Sequence, residues 1–182
     1  MSTVRHISDL SIAELVESRL RDIPDFPKPG VVFKDYTPLI ADGPALGRLV
    51  RDITERYGGT VDVVAGIEAR GFILAAAVAY ELGTGMVPIR KAGKLPGETL
   101  LESYSLEYGT AEIEVHTDAF APRQRVLLLD DVLATGGTAA AACDLVERTG
   151  AIVTGIDVIL ELTFLKGRSR LPGRPVHAML AV

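Results

Sequence analysis

Arg125-Val-Leu-Leu-Leu-Asp-Asp-Val-Leu-Ala-Thr-Gly-Gly-Thr138 is the stretch that decides the fold. It begins with a continuous apolar run, Val126 to Leu129, which is short enough for a strand buried on both faces. Asp130 and Asp131 follow where we expect this strand to end. Residues 139–149 then repeat apolar side chains at helical spacing. A buried strand, a small turn and a helix in this order favour an α/β protein.

The turn between this strand and helix is suited to a phosphorylated sugar. In open α/β sheets, ligands gather beyond the carboxyl ends of the strands. Gly136 and Gly137 allow a tight turn, and the amides there and at the start of the helix favour an anion. Thr135 and Thr138 can add hydroxyl donors. The two aspartates cannot bind the phosphate, and they suit ribose hydroxyls or the water shell of a metal.

A second unit of the same form precedes the first in the chain. Residues 61–67 are predicted to form a buried strand, and residues 72–82 an apolar helix. Arg70, at the entrance to that helix, places a cation beside free amides and suits a second anion, although an arginine in a turn is more often only a solvated charge. Two such units predict a mostly parallel sheet flanked by helices.

The remaining segments are predicted in less detail. Ser8–Arg21 and Pro44–Tyr57 have the pattern of helices, and the proline-punctuated segment 23–35 between them is expected to be an apolar loop. Residues 91–108 are interpreted as a mobile lid with a cationic entry side, whose end pairs with residues 112–116 in a hairpin. Further strands are expected at 86–90, 151–160 and 176–182.

Composition limits the class of protein. A chain of 182 residues that is 48% hydrophobic fits one compact domain. Its net charge of −5 disfavours binding to nucleic acid or to anionic membranes. We find no signal peptide and no membrane span, and the single Cys143 allows no internal disulfide, so a cytoplasmic protein is expected. The three histidines are too scattered for a metal site or a catalytic triad.

These motifs resemble those of the type I phosphoribosyltransferases, whose phosphoribosyl-pyrophosphate motif is an apolar strand, two acids and Ala-Thr-Gly-Gly-Thr. Within that family the chain is most similar to the branch that uses adenine. Four further segments carry this similarity in the right order: 25–35 for the base-binding loop, 65–72 for the pyrophosphate loop, 89–97 with 102–109 for the flexible loop, and 161–168 for the C-terminal segment. Lys34 and Ala69 depart mildly from the family pattern, since many relatives have arginine and serine there.

The resemblance implies a single domain over residues 1–182, with a base-binding hood in 1–35 and a flexible lid and hairpin in 91–116. The implied reaction joins adenine and 5-phosphoribosyl 1-pyrophosphate to give AMP and pyrophosphate, in purine salvage. Mg²⁺ is expected to be held through the substrate and water rather than directly by protein ligands. A homodimer is also implied, with lid cations that reach toward the partner's site, and so is a cis or distorted peptide at Glu68-Ala69.

The resemblance also assigns roles to single residues. The catalytic residues are Glu107, which manages the proton of the base, and Arg70, which also stabilises the leaving group. The remaining roles are these: ribose hydroxyls, Asp130 and Asp131; 5′-phosphate, Ala134, Thr135, Gly136, Gly137 and Thr138; pyrophosphate, Glu68, Ala69, Arg70, Arg90, Lys91 and Lys94; adenine, Val32, Phe33, Lys34 and Leu162.

Two alternative functions stay open. A transferase for another purine base or for orotate would share the sugar-phosphate motif. A regulator that binds phosphoribosyl pyrophosphate without turning it over would also share it. Such a regulator needs a DNA-binding element, and residues 1–30 contain no basic helix-turn-helix. It also has no need of a carboxylate at Glu107 in the lid.

Overall fold

The structure is a computed structural model that describes residues 6–26, 28–105 and 109–182. The chain forms two compact units, residues 1–52 and residues 53–182. No helix among the described residues is long and apolar enough to cross a bilayer. The elements of the first unit are α1 (Ile12–Arg19), β1 (Arg21–Pro24), β2 (Val32–Asp35), α2 (Thr37–Ala41) and the start of α3 (Gly43–Tyr57).

The first helix is shorter than the predicted span Ser8–Arg21. Ser11 caps α1 in a capping box, because its side chain accepts the Glu14 N–H while the Glu14 carboxylate accepts the Ser11 N–H. Residues 7–9 form a separate 3₁₀ turn, and Arg21 already belongs to β1. The prediction was wrong at both ends, because the local cap and the strand pairing of Arg21 with Asp35 override the apolar periodicity.

The proline-punctuated segment forms a hairpin rather than the expected loop. β1 and β2 pair antiparallel, with Ile23 opposite Phe33 and Pro24 opposite Val32. Pro24 is tolerated because it is the last residue of an edge strand, where its missing N–H breaks no interior ladder. The Phe26 and Phe33 rings pack edge to face with their centroids 5.2 Å apart.

A seven-stranded sheet forms the second unit. Its strand order is β5-β6-β4-β3-β7-β8-β9. The five strands in the order β4-β3-β7-β8-β9 are all parallel. β6 pairs antiparallel with both β4 and β5. The elements are β3 (Val63–Ile67), α4 (Gly71–Leu82), β4 (Gly85–Lys91), β5 (Thr99–Ser105), β6 (Thr110–His116), β7 (Arg125–Leu133), α5 (Gly137–Arg148), β8 (Ile152–Glu161) and β9 (Val176–Ala181).

This architecture confirms the predicted α/β class with a mostly parallel sheet. β3 and β7 are adjacent, and both are buried over most of their length, as continuous apolar runs require. The predicted hairpin is also confirmed for the described residues, since β5 and β6 pair antiparallel from Thr99 opposite His116 to Ser105 opposite Thr110.

β7 is longer than the sequence suggested. The strand does not end at Asp130 but continues to Leu133, since β8 pairs with it as far as Leu133 opposite Glu161. Side chains alternate across a strand, so Asp130 and Asp131 lie on opposite faces of the sheet. The expectation that the two carboxylates follow the strand was therefore wrong.

Candidate active site

Two strand–helix turns meet at one edge of the sheet. β3 leads into α4 and β7 leads into α5, and the two strands are parallel neighbours. Their carboxyl ends therefore lie side by side, which is where ligands bind in open α/β sheets. Gly71, the first residue of α4, makes this approach possible, because a Cβ there would lie 2.7 Å from the Leu129 carbonyl oxygen.

The turn between β7 and α5 encloses a small pocket. Gly136 precedes the helix with φ +79°, a left-handed conformation that favours glycine. No side chain caps α5, so the first amides of the helix remain available to a ligand. These amides and the helix dipole favour an anion. The pocket holds about 60 Å³ and is lined by Asp130, Val132, Leu133, Ala134, Thr135, Gly136, Gly137, Thr138, Ala139 and Val158.

The two adjacent aspartates have different surroundings. Asp130 lines the pocket, and its carboxylate accepts the Asp131 N–H at 2.9 Å. Asp131 lies on the other face, where its Oδ2 is 3.0 Å from Arg70 Nε. Burial, and after it the neighbouring Asp131 carboxylate, raise the pKa of Asp130 well above its usual range. Asp130 is thus the carboxylate that a ligand in the pocket would meet.

The turn between β3 and α4 contains Glu68, Ala69 and Arg70. The peptide bond between Glu68 and Ala69 is cis, as the family resemblance implied. The Glu68 carboxylate accepts the Lys91 N–H at 3.0 Å and Arg90 Nε at 3.1 Å. The Lys91 N–H, followed by the Arg90 guanidinium, lowers the pKa of Glu68 despite its burial. The expected pyrophosphate residues of this turn are therefore joined to the end of β4.

Glu114 holds the first residues of the expected lid, and its role was not predicted from the sequence. Glu114 is 3% exposed, and its carboxylate accepts the N–H groups of Lys94 at 2.7 Å and Leu95 at 2.8 Å. Burial favours the neutral acid, but the N–H groups of Leu95, Lys94 and Gly93 outweigh it and lower the pKa of Glu114. No sequence signal marks this role, because Ile113 and Val115 beside it are the apolar residues of the strand.

The expected cations Arg90, Lys91 and Lys94 differ in their contacts. Arg90 also donates to the Lys94 carbonyl at 3.1 Å, so its guanidinium links Glu68 to the start of the expected lid. The side chains of Lys91 and Lys94 are exposed. Glu107, the expected catalytic carboxylate, lies outside the described residues.

The C-terminal segment packs directly against the pocket. The Leu162 N–H donates to the Leu133 carbonyl at 2.9 Å. Arg168 grips Glu161 with two guanidinium nitrogens, Nε at 2.8 Å and Nη2 at 2.7 Å. The expected base contact Leu162 is thereby held beside the strand end that carries Asp130.

The expected base-binding loop belongs to the unit of residues 1–52. Lys34 Nζ is bound by both oxygens of Asp22, at 2.7 and 2.9 Å, across the β1–β2 hairpin. The Val32 carbonyl receives no hydrogen bond from its partner Pro24, since proline has no N–H. The hairpin therefore occupies the Lys34 side chain.

Comparison with known proteins agrees with this geometry. A family profile described as a phosphoribosyl transferase domain matches residues 39–172. An adenine phosphoribosyltransferase of Salinispora tropica is 59% identical over 180 residues, which is 98% of this chain and 96% of that protein.

Solved structures give the same result. The adenine phosphoribosyltransferase of Thermoanaerobacter pseudethanolicus superposes with a TM-score of 0.90 at 46% identity, covering 93% of this chain and 99% of that one. The adenine phosphoribosyltransferase of Saccharomyces cerevisiae, solved with adenine and an imino-altritol bisphosphate, gives 0.88 at 38% identity, over 93% of this chain and 99% of that one.

Proposed function

The chain belongs to the adenine phosphoribosyltransferase family, and from this membership we propose that it joins adenine to 5-phosphoribosyl 1-pyrophosphate, releasing AMP and pyrophosphate. The observation that carries the proposal is the pocket at the end of β7, which is lined both by the Asp130 carboxylate and by the uncapped start of α5. In a ribose 5-phosphate, the hydroxyls suit the carboxylate and the phosphate suits the amides.

The phosphate end of the substrate is assigned to the turn from Ala134 to Thr138. Amides at a helix N-terminus bind phosphate without any charged side chain. Asp130 would accept hydrogen bonds from the ribose hydroxyls, and these bonds would favour its charged form against the burial that raises its pKa. Holding the ribose phosphate at both ends fixes C1′ for attack by the base nitrogen N9.

The leaving pyrophosphate is assigned to the turn at Arg70. The bond from C1′ to pyrophosphate breaks early, so negative charge grows on the leaving group while the sugar gains oxocarbenium character. Fixed cations beside that charge stabilise the transition state more than the ground state. Arg70 is held by Asp131 and Arg90 by Glu68, and both guanidinium groups are therefore oriented before the substrate arrives. Lys91 and Lys94 complete this proposed set.

Mg²⁺ fits the site as a partner of the substrate. Asp131 is 8% exposed, and its Oδ2 accepts no hydrogen bond within the described residues, although Arg70 is close. That oxygen could accept from a metal-bound water, which favours binding through the substrate and water. The metal would neutralise charge on the pyrophosphate.

Adenine is assigned to the backbone of β2. Adenine presents a donor at N6 and an acceptor at N1, so one carbonyl and one N–H in register can recognise it. The Val32 carbonyl and the Lys34 N–H are the proposed pair, because the Lys34 side chain is engaged by Asp22. Phe33, in the unit of residues 1–52, and Leu162, in the unit of residues 53–182, stay the proposed apolar contacts of the base. Glu107 would accept the base proton as N9 attacks C1′.

We also propose that residues 1–182 act as one domain and that the protein is a homodimer. Support for the dimer comes from α4, where Ile73 is 46% exposed and Tyr80 is 86% exposed on one apolar face. Exposed apolar faces of this kind mark interaction sites. Light scattering that gives a monomer mass under assay conditions would overturn this part. The cross-subunit role of lid cations and the cytoplasmic location stay predictions.

The proposed reaction is tested by pyrophosphate release. Protein supplied with phosphoribosyl pyrophosphate, Mg²⁺ and adenine should release pyrophosphate in equal amount to the AMP formed, and none when adenine is left out. A regulator would instead bind phosphoribosyl pyrophosphate with no release in either mixture, and that result would contradict the proposal.

A further inference from the structure

Gly167 lies where the pocket turn leaves no space for a side chain. A Cβ on Gly167 would lie 2.3 Å from the Ala134 carbonyl oxygen and 3.1 Å from Leu133 Cγ. The reverse also holds, because a Cβ on Gly136 would lie 2.2 Å from the Gly167 carbonyl oxygen. The backbones of the phosphate-binding turn and of the C-terminal segment therefore touch directly.

Space, and not backbone conformation, demands glycine at position 167. Gly136 has a positive φ, so any side chain there would also strain the backbone. Gly167 has no positive φ. Alanine is therefore conformationally permitted at 167, and only its methyl group is excluded. This makes position 167 the cleaner probe of the contact.

The segment that carries Gly167 is firmly held. Arg168 donates to the buried Glu161 carboxylate and also to the Val176 carbonyl at 2.8 Å. Lys166 N–H donates to the Thr163 carbonyl at 3.0 Å. A methyl group on Gly167 would meet the backbone of Ala134. Because the segment that carries Gly167 is anchored, the turn that contains Ala134 would have to move.

We propose that Gly167 is a positioning residue whose bare backbone sets the place of the phosphate-binding turn. Leu162, the proposed base contact, lies on the same segment and is bound to Leu133. The segment from Leu162 to Gly167 therefore fixes the distance between the base and the 5′-phosphate of the substrate. This inference rests on the proposed function for the identity of the ligand.

Gly167→Ala tests the inference, with Gly85→Ala as the matched control. A Cβ on Gly85 would meet only Val63 Cγ2 at 3.9 Å, an ordinary contact. A displacement of about 1 Å near reacting groups costs on the order of 10²-fold. We expect Gly167→Ala to raise the KM for phosphoribosyl pyrophosphate and the Kd for ribose 5-phosphate at least ~10-fold. The adenine KM at saturating co-substrate should change much less, and Gly85→Ala should match the wild type.

An unchanged Kd for ribose 5-phosphate in folded Gly167→Ala would overturn the inference, and so would equal losses for both substrates. Circular dichroism establishes whether the variant folds. Should it not fold, Arg168→Lys replaces it, because lysine cannot reproduce the grip on Glu161 and Val176. A smaller increase in the same Kd is then expected, and no increase would overturn the inference. Binding of ribose 5-phosphate needs no turnover, so wild-type protein that binds it without making AMP would contradict only the proposed function.

Discussion

Arg70 Nε lies 3.0 Å from Asp131 Oδ2, and this ion pair joins the two strand–helix turns of the candidate site. Arg70 comes just before α4, and Asp131 lies within the last residues of β7. Asp130, the neighbour of Asp131, faces the pocket instead. Two aspartates adjacent in sequence thus have separate surroundings, because Asp130 lines the pocket and Asp131 pairs with Arg70.

Asp130→Asn should lower activity and change how stability depends on pH. Loss of charged hydrogen bonds to the ribose should lower kcat/KM for phosphoribosyl pyrophosphate by ~1–3 kcal/mol. Because the pKa of Asp130 is raised, the folded protein holds this proton to higher pH than the unfolded chain does. The wild type should therefore lose unfolding free energy as the pH rises above the usual carboxyl range, and Asp130→Asn should not. Steady-state kinetics and thermal melts of ligand-free protein measure the two effects.

Asp131→Asn is the matched comparison. Without the negative charge of Asp131, the pKa of Asp130 should be raised less, so the unfolding free energy should depend less on pH. The same variant should also remove the ion pair that holds Arg70. Unchanged kinetics in both variants would remove the basis for the ribose assignment.

Glu114→Gln should destabilise the base of the lid. The lowered pKa of Glu114 means that its carboxylate stabilises the fold above the usual pKa of the acid, and that this stabilisation is lost as the pH falls through the lowered value. Weaker acceptance from the Lys94 and Leu95 N–H groups should cost ~1–3 kcal/mol at neutral pH. The difference in melting temperature from the wild type should shrink toward acidic pH; a difference that grows there would contradict the assignment.

Lys34→Ala should keep the preference for adenine. The contact is assigned to the backbone, and the lost ion pair with the exposed Asp22 contributes little, about 0–1 kcal/mol. Lys34→Pro is the contrasting variant, because it removes the N–H that would read adenine N1. Ratios of kcat/KM for adenine over hypoxanthine measure the effect. Collapse of the ratio in Lys34→Ala would show that the side chain recognises the base.

Glu107→Gln and Glu107→Leu should lower mainly kcat. The proposed role is to accept a proton as the new bond forms, which matters in the transition state more than in binding. Glu112→Gln is the control, since Glu112 is an exposed acid on β6 that binds Ser103 Oγ. Equal kcat values in the Glu107 and Glu112 variants would count against a catalytic role.

The sequence predicted the sheet because its strands are distinct apolar runs. Val126–Leu129 is a continuous apolar run, and the glycine turn after it marks the proposed phosphate site. The end of β7 could not be predicted, because Asp130 and Asp131 extend the strand only through pairing with β8. Because β8 comes about thirty residues later in the chain, the residues around Asp130 carry no sequence signal of this pairing.

The hairpin β1–β2 and the role of Glu114 escaped prediction for related reasons. Proline and glycine suggested a loop, whereas Pro24 is compatible with the end of an edge strand. Glu114 alternates with the apolar Ile113 and Val115, so nothing in the sequence shows that its carboxylate accepts N–H groups from residues 93–95. Both are tertiary effects, in which a distant segment supplies the partner.

The most direct measurement is a radiochemical assay with adenine, guanine, hypoxanthine and orotate side by side, each with phosphoribosyl pyrophosphate and Mg²⁺. A mismatched purine sets donor against donor and acceptor against acceptor, and such mismatches can support discrimination up to ~10⁴–10⁵. We predict rapid formation of AMP from adenine and little product from the other three bases. Faster turnover of guanine, hypoxanthine or orotate than of adenine would contradict the account.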